Sequence, residues 1–301
     1  MDRQDWLEQR RHYIGGSDAA AIIGLNPHVT PFAVWADKTG RMPSREDNEA
    51  MRQGRDFEDY IAHRFMADTG KKVRRCNDML LNPKYPFAAA NIDRAVIGEV
   101  AGLECKSTSS LATIKRLEAG EIPDAHYVQC VHYMAVRNAP RWYLAELILG
   151  KAFMVFTIER DEAEIDALMA AEQEFWETYV VPDVPPPVDG LEPTSNALNT
   201  IYKGGKSEPV QLDLPAELSQ YMALKHQIAE LDKLKTQVEQ KVKKTLGDAE
   251  LGECGPYRVS WVPSLRRTLD KARLMADHPG IDLEGYYKQT ESRRFSIKEV
   301  T

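Results

Sequence analysis

The sequence lacks long apolar runs and has few cysteines. No stretch approaches the roughly 20 apolar residues that a bilayer-spanning helix requires, so none is predicted. The first 16 residues are charged and lack the apolar core of a secretory signal, so we expect no export. The four cysteines are scattered and include no CxxC pair, which predicts neither a zinc knuckle nor a disulfide framework. We therefore expect a reducing, cytoplasmic compartment.

An excess of positive charge is also lacking. The 39 lysines and arginines are outnumbered by 46 acidic residues, for a net charge of −7. This balance argues against a protein coated with basic residues, although a local basic groove remains compatible with it. No internal repeat or low-complexity tract is present. At 301 residues, the chain is long enough for one large domain or for a core domain with a smaller appendage.

Residues 88–107 form the stretch around which the other motifs are arranged. Asp93 follows a short apolar run, two glycines mark a turn, and the residues around Glu104 alternate apolar and charged. This pattern predicts a hairpin with Asp93 opposite Glu104 and with Lys106 beside Glu104 on the same face. Two adjacent carboxylates favour a bound Mg²⁺, and the lysine could orient a water. A solvated hairpin with a weak Glu–Lys pair would show the same spacing.

A second motif lies near the N-terminus. Ser17 and Asp18 follow two glycines and precede an alanine-rich segment, which predicts a short buried helix with one of them as N-cap. The free N–H groups of such a helix, together with Arg10 upstream, could hold a phosphate. An ordinary capped core helix is the alternative.

Two further polar residues lie on predicted helices. Glu58 borders the apolar stripe of a helix from Asn48 to about Asp68, and faces either solvent or a functional cleft. Gln129 belongs to a helix that opens at Pro123 and lies near its aromatic face, as a surface or core-edge residue would.

The order of elements predicts an α/β fold with a mixed sheet flanked by helices. The remaining predicted elements are a helix at Thr30–Lys38, a strand at Val73–Leu81, a hairpin of Trp142–Leu149 with Ala152–Ile158, and a helix at Asp161–Val181. A proline run and a polar segment then predict a boundary. The expected domains are residues 1–185, a linker at 186–210, and a region at 211–301.

The C-terminal region is predicted to contain a helix of about thirty residues, from Leu214 to Leu246, followed by a small β appendage. Its apolar stripe could serve a coiled-coil partner or pack on its own chain, and its seam is not regular enough to fix an oligomeric state. Strands are expected at Tyr257–Trp261 and Arg293–Ile297, with a short helix from Asp270. The arginines and aromatic residues here suit a nucleic-acid surface or a guarded sheet edge.

Taken in order, these motifs resemble the YqaJ-type viral recombinase family, which is similar to phage lambda exonuclease and has the PD-(D/E)xK nuclease fold. The resemblance covers roughly residues 1–180 and implies a restriction-endonuclease-like sheet. The matching stretches are Trp6-x3-Arg10, Ile14-Gly-Gly-Ser17-Asp18-Ala19, Gly54-x3-Glu58, Ile92-Asp93 with Leu103-Glu104-Cys105-Lys106, and Tyr127-Val128-Gln129. The family's usual Pro-Asp pair is Ile92-Asp93 here.

The resemblance also implies the residue roles. Asp93, Glu104, the Cys105 carbonyl and Glu58 would bind metal, Lys106 would orient or activate water, Gln129 would support the site, and Arg10 and Ser17 would receive a 5′-phosphate.

The implied protein is a phage- or prophage-encoded, Mg²⁺-dependent exonuclease in a bacterial cytoplasm, which degrades duplex DNA from 5′ to 3′ and accepts Mn²⁺ as a substitute. A single-strand annealing protein and a homotrimer are its implied partners. An endonuclease of the same fold and a non-catalytic DNA-end-binding scaffold are the alternatives.

Overall fold

A computed structural model of the chain describes residues 8–43, 48–205, 208–288 and 294–297. The chain divides into two units. The first unit is Met1–Lys203 and the second is Gly204–Thr301. Trp6 and Arg293, which the sequence analysis singled out, lie outside the described residues.

Two sheets organise the N-terminal unit. Its strands are β1 Ile14–Gly15, β2 Val73–Arg75, β3 Leu80–Leu81, β4 Ala88–Ala90, β5 Arg94–Val96, β6 Gly102–Thr108, β7 Arg141–Ile148 and β8 Ala152–Glu159. The larger sheet has the order β2-β5-β6-β7-β8, with β6 and β7 parallel and the other neighbours antiparallel. The smaller sheet has the order β1-β4-β3. The predicted mixed sheet and both predicted hairpins are confirmed.

The helices of this unit begin at capping residues or prolines. They are α1 Gly16–Ile22, α2 Pro31–Lys38, α3 Glu49–Thr69, α4 Leu111–Glu118, α5 Asp124–Arg137, α6 Glu162–Phe175 with a π-helical turn at Trp176–Val180, and α7 Glu192–Ile201. The side chains of Thr30, Asn48 and Asp161 accept hydrogen bonds from the first turns of α2, α3 and α6, as expected of N-caps. The predicted bounds of these helices agree with the structure to within a few residues.

Helices cover both faces of the larger sheet, which confirms the α/β prediction. On one face, Phe65 of α3 packs in a cluster with Leu103 and Cys105 of β6. Because successive side chains of a strand point to opposite faces, Glu104 and Lys106 point to the other face, which α5 covers. The sheet therefore directs these two polar side chains into the helix layer.

Three predicted elements differ from the structure. Val73–Leu81 is two short strands in different sheets, because the polar residues between them turn the chain. The first helix starts at Gly16, with Gly15 as its N-cap, and the Asp18 carboxylate accepts the Gly15 N–H. The segment predicted as a linker contains helix α7, whose Thr194 is buried and hydrogen-bonds Thr30 at 2.8 Å. This packing extends the first unit to Lys203.

The C-terminal unit contains the long helix that the apolar stripe predicted. Its elements are α8 Pro215–Leu246, the antiparallel strands β9 Leu251–Cys254 and β10 Tyr257–Ser260, α9 Lys271–Asp277, and a 3-10 turn at Glu284–Tyr286. The prediction of a last strand is wrong for residues 294–297, which form no strand. Within the described residues, no helix combines the length and apolarity needed to cross a bilayer.

Candidate active site

The hairpin of β5 and β6 carries the centre of the site. Arg94 pairs with Leu103 in the antiparallel register, so Asp93 is at the position that faces Glu104, as predicted. The Asp93 Oδ2 accepts a hydrogen bond of 2.8 Å from the Cys105 N–H, which fixes the carboxylate against β6. Gly102 begins β6 directly beneath the Trp142 indole, so closely that a Cβ at this position would collide with the ring.

Glu104 is buried among polar groups, with 3% of its surface exposed. Its Oε1 accepts hydrogen bonds of 2.7 Å each from Lys106 Nζ and Gln129 Nε2, whereas its buried Oε2 has no hydrogen-bond partner in the structure. Burial, reinforced by the charge of Asp93, raises the pKa of Glu104 to about 8. The environment therefore disfavours the charged carboxylate unless a cation joins it.

Lys106 and Gln129 hold one another in place. Lys106 Nζ donates to Gln129 Oε1 at 2.9 Å, and the amide nitrogen of Gln129 donates to the Tyr133 hydroxyl at 2.8 Å. Burial alone would lower the pKa of Lys106, but the nearby carboxylates of Glu104 and Asp93 raise it above its usual value. Without a bound metal ion, these carboxylates therefore hold Lys106 in its charged form.

Glu58 reaches the site from α3 and is held beside a buried arginine. Its Oε2 lies 3.6 Å from Arg94, whose guanidinium also contacts Asp59 at 2.7 Å and the Asp93 carbonyl at 2.7 Å. Burial and the neighbouring Asp93 raise the pKa of Glu58. Burial likewise raises the pKa of Asp93. Burial thus disfavours the charged form of all three carboxyl groups, although Arg94 and Lys106 lie beside them.

A cavity of about 480 Å³ opens onto these groups. It is lined by Glu58, Asp93 and Gln129 on one side and by Arg10 and Ser17 on the other, with basic side chains along its wall. The Arg10 guanidinium donates a hydrogen bond to the Ser17 hydroxyl. The cavity is thus lined by two of the predicted metal residues, Glu58 and Asp93, and by the predicted phosphate residues, while Glu104 hydrogen-bonds Gln129 in its wall.

Asp18 lies between Arg10 and a buried lysine. Lys38, with 1% of its side chain exposed, lies 2.6 Å from Asp18, while Arg10 lies 4.0 Å from it. Burial alone would raise the pKa of Asp18, but Lys38 and Arg10 lower it to about 2. Asp18 is therefore held as a carboxylate between Lys38 and Arg10.

The Cys105 side chain takes no part in the site. It packs on the opposite face of the sheet, where burial raises the pKa of its thiol. Only the backbone of Cys105 is therefore available, as the resemblance implied.

Several residues around the cavity were not singled out from the sequence. Arg94 directly follows Asp93, and Tyr133 lies one helical turn after Gln129, so both had a spacing signal. Lys38 had none, because its partner Asp18 is twenty residues away. Arg55 and Arg75 also line the cavity, and nothing in their local sequence marks them.

The donors at the centre suit a hard cation. Carboxylate oxygens are available from Asp93, Glu104 and Glu58, and the unpartnered Oε2 of Glu104 is a buried acceptor that a cation would satisfy. Within residues 8–43, 48–205, 208–288 and 294–297, no three His, Cys, Asp or Glu side chains already stand close enough to enclose a metal. The residues fit a site in which two carboxylates are completed by backbone oxygen and water.

Comparison with known proteins identifies the family. Residues 5–140 match the model of the YqaJ-like viral recombinase domain. The protein YqaJ of Bacillus subtilis (strain 168) is 40% identical over 308 residues, which cover 100% of this chain and 96% of that protein. The chain belongs to the YqaJ family of viral recombinases. The family assignment made from the ordered motifs is confirmed, and the YqaJ protein also matches the C-terminal unit.

Solved structures similar to this family member include two bacterial exonucleases. The alkaline exonuclease LHK-Exo from Laribacter hongkongensis is 18% identical, with a TM-score of 0.48 over 58% of this chain and 91% of that chain. A phage-related exonuclease from Haemophilus somnus 129PT is 12% identical, with a TM-score of 0.41 over 59% of this chain and 99% of that one. Similarity at this level assigns no chemistry to this YqaJ-family chain.

Proposed function

We propose that this YqaJ-family protein is a Mg²⁺-dependent deoxyribonuclease that degrades duplex DNA from a 5′ end. The observation that carries the proposal is the cluster of Asp93, Glu104, Lys106 and Gln129. Two of its members, Asp93 and Gln129, line a cavity that Arg10 also lines. Acidic residues alone would repel a DNA phosphate. The fixed ammonium and the arginines make a phosphodiester an acceptable ligand once a cation neutralises the carboxylates.

The residues that would hold Mg²⁺ are Asp93, Glu104 and the Cys105 carbonyl, with Glu58 reaching it directly or through a water. Mn²⁺, another hard cation, would substitute for it. When bound, the cation would polarise the scissile phosphate and promote formation of hydroxide from a bound water. Removing it with EDTA should stop cleavage.

Lys106 would stabilise the negative charge that develops on the phosphate oxygens. Its raised pKa keeps it charged, and its bonds to Glu104 and Gln129 fix its direction before substrate arrives. A preorganised cation of this kind contributes more than a mobile one, because no reorganisation is needed during the reaction.

Arg10 and Ser17 would bind the 5′-phosphate of the DNA end. Ser17 offers a hydroxyl and Arg10 a guanidinium on the same wall of the cavity, 4.0 Å from an Asp18 that Lys38 already neutralises. Fixing the terminal phosphate there would place a nearby phosphodiester beside Asp93 and Glu104. This geometry favours an exonuclease over an endonuclease.

The test is cleavage of an end-labelled linear duplex with Mg²⁺ or EDTA. Asp93→Ala, Glu104→Ala and Lys106→Ala should each abolish cleavage, whereas Lys151→Ala, a change at an exposed hairpin turn, should not. Full cleavage by all three site variants would refute the nuclease assignment. Cleavage of a closed circular duplex would indicate an endonuclease.

The phosphate pocket has its own test. Wild type should prefer 5′-phosphorylated to 5′-hydroxyl ends, and Arg10→Ala should lose this preference. Arg11→Ala is the matched control, because the Arg11 guanidinium binds Glu8 and the Met42 carbonyl instead. Equal cleavage of both ends by wild type would remove the pocket from the proposal.

A further inference from the structure

A histidine–glutamate pair lies beside Lys106, on the neighbouring strand of the larger sheet. Lys106 of β6 is directly opposite Glu146 of β7 in the parallel register. Opposite residues on adjacent strands point to the same face of a sheet, so Glu146 points with Lys106 towards α5. There the His126 Nδ1 of α5 lies 2.6 Å from the Glu146 Oε1. One helix therefore holds Lys106 through Gln129 and holds its neighbour through His126.

Glu146 is a buried acid whose hydrogen bonding depends on this contact. Its side chain is 0% exposed, its Oε1 is bound to His126, and its Oε2 has no hydrogen-bond partner in the structure. His126 is open to solvent, with 25% of its side chain exposed. Because a buried carboxyl group without a hydrogen bond is costly, loss of the His126 ring would leave Glu146 in need of another partner.

The charges of both acids, Glu104 and Glu146, act on the buried Cys130 thiol. Cys130 lies one helical turn after His126 and is 0% exposed. Burial raises the pKa of this thiol, Glu104 raises it further, Lys106 opposes the rise, and Glu146 adds to it. Because such effects weaken with distance, all three charged groups lie near the same thiol. Lys106 thus has an acid on each side, one on its own strand and one on the next.

These two acids compete for the Lys106 ammonium. Adjacent strands lie about 4.8 Å apart, and lysine has a flexible four-carbon stem, so its ammonium can reach either strand. In the structure it lies 2.7 Å from the Glu104 Oε1 and donates to the Gln129 Oε1 at 2.9 Å. The His126 ring meanwhile binds Glu146. The ammonium therefore stays at the site as long as Glu146 has a partner of its own.

We propose that His126 is a positioning residue for Lys106. By binding the buried Glu146, it keeps the ammonium on Glu104 and Gln129 at the phosphate site. Without the His126 ring, Glu146 would draw the ammonium towards β7. The effect on rate rests on the proposed nuclease function, because the direction of Lys106 affects cleavage only if Lys106 stabilises the reacting phosphate. The position of the ammonium itself can be measured whether or not the protein cleaves DNA.

The first experiment measures single-turnover cleavage of a labelled linear duplex by the full-length protein with Mg²⁺. His126→Leu fills most of the same space without a hydrogen bond and should lower the rate by about 10- to 100-fold, because the cation leaves the reacting phosphate. His126→Asn keeps a nitrogen donor near the place of Nδ1 and should stay within about threefold of wild type. The duplex concentration that gives half the maximal rate should change by less than about twofold, because DNA binding is not altered.

The double variant of His126→Leu with Glu146→Gln separates competition for Lys106 from lost packing. The amide removes the competing charge, so the rate per folded molecule should return to within about fivefold of wild type. A pair that only stabilises the fold would change the free energy of unfolding in urea and leave that rate unchanged in every variant. A His126→Leu rate equal to wild type, a double variant as slow as His126→Leu, or an equally slow His126→Asn would overturn the proposal.

The second experiment locates the ammonium in crystals of the full-length protein grown without Mg²⁺. The Lys106 Nζ should contact Glu104 in wild type and Glu146 in His126→Leu, and it should return to Glu104 in the double variant. If His126→Leu does not fold, His126→Ala takes its place in both experiments. An ammonium that stays on Glu104 in this variant would overturn the proposal. A wild type that cleaves no duplex would refute the nuclease function instead, and the crystal positions would still decide the role of His126.

Discussion

The N-terminal unit contains two buried acid–base clusters that differ in charge and access. In one, Glu104 lies beside Lys106 and Asp93, and Asp93 lines a cavity. In the other, His132 and Glu172 are both fully buried, with His132 Nδ1 2.8 Å from Glu172 Oε1 and His132 Nε2 3.0 Å from the Ala89 carbonyl oxygen. Each cluster leaves one carboxylate oxygen without a hydrogen-bond partner. An unpartnered buried oxygen therefore does not by itself mark a functional site.

The balance of charge separates the two clusters. Both ring nitrogens of His132 face acceptors, so a protonated imidazole satisfies the Ala89 carbonyl and balances one carboxylate. Burial alone would lower the pKa of His132, but Glu172 raises it. Around Glu104, by contrast, three carboxyl groups lie close together, and two of them, Glu58 and Asp93, line a cavity. What predicts a ligand is the meeting of several carboxyl groups beside a cavity, in place of a single closed ion pair.

The largest expected effect is a difference in cleavage rate between substitutions of Glu104 and of Glu172. Glu104→Gln should lower the rate of duplex cleavage by about 10³-fold or more, because it removes a charge at the reacting phosphate. Glu172→Gln, a chemically identical change, should keep the rate within about tenfold. Single-turnover cleavage of a labelled duplex gives both rates. Similar losses for the two variants would contradict the distinction.

The second largest expected effect is on stability, and it concerns the cluster of His132 and Glu172. His132→Leu leaves Glu172 buried without its partner and should lower the free energy of unfolding by about 3–5 kcal/mol. The double variant with Glu172→Met should recover most of the loss, since no charge remains. Urea unfolding followed by tryptophan fluorescence measures both. A single variant as stable as the double variant would show that the pair is not coupled.

The pH dependence of stability sharpens the comparison further. In EDTA, folded Glu104 holds its proton up to about pH 8, while the unfolded chain releases it near the ordinary glutamate pKa of 4.5. The folded state therefore binds more protons between these values, and this group lowers stability as pH rises, by up to about 1.4 kcal/mol per unit.

The difference between wild type and Glu104→Gln isolates this slope from the other groups. Unfolding at pH 5, 6, 7 and 8 should show wild type losing stability relative to the variant, and Mg²⁺ should flatten the difference by favouring the carboxylate. If the stability difference between wild type and Glu104→Gln did not change with pH in EDTA, burial would not shift the pKa of Glu104.

The smallest expected effect concerns Tyr133. Its hydroxyl accepts from Gln129 Nε2 and donates to the Asn91 carbonyl, each at 2.8 Å. Tyr133→Phe removes both bonds, but only the one to Gln129 acts on the site, and its loss at about 0.5–1.5 kcal/mol should slow cleavage by roughly 2- to 10-fold. Tyr127→Phe is the control, because Tyr127 lies on the same helix as Tyr133 but its hydroxyl donates to Glu164 of α6.

The centre of the site was predictable because its spacing is local. Alternation along β6 fixes the direction of Glu104 and Lys106, and a turn with Gly98 at positive φ brings Asp93 to the position that faces Glu104. The long helices were predictable for the same reason, since Thr30 and Asn48 are strong caps.

The rest depends on contacts that no local pattern records. Lys38 neutralises Asp18 only because α1 and α2 pack together, and Arg94 reaches Glu58 only because α3 lies against the hairpin. The sequence predicts a linker where helix α7 lies, because the burial of this helix against α2 arises from tertiary packing and not from a strong local sequence signal. The cluster of Glu58, Asp93 and Glu104 likewise combines residues from separate segments of the chain.

Gly102 shows how an inert residue can constrain this chemistry. It begins the strand that carries Glu104 and Lys106, and any side chain there would strike Trp142 and displace that strand. A scan of single substitutions scored only by DNA cleavage would thus rank Gly102 among the catalytic residues. Only a parallel measurement of folding would show that Gly102 leaves room for the Trp142 ring and takes no part in the chemistry.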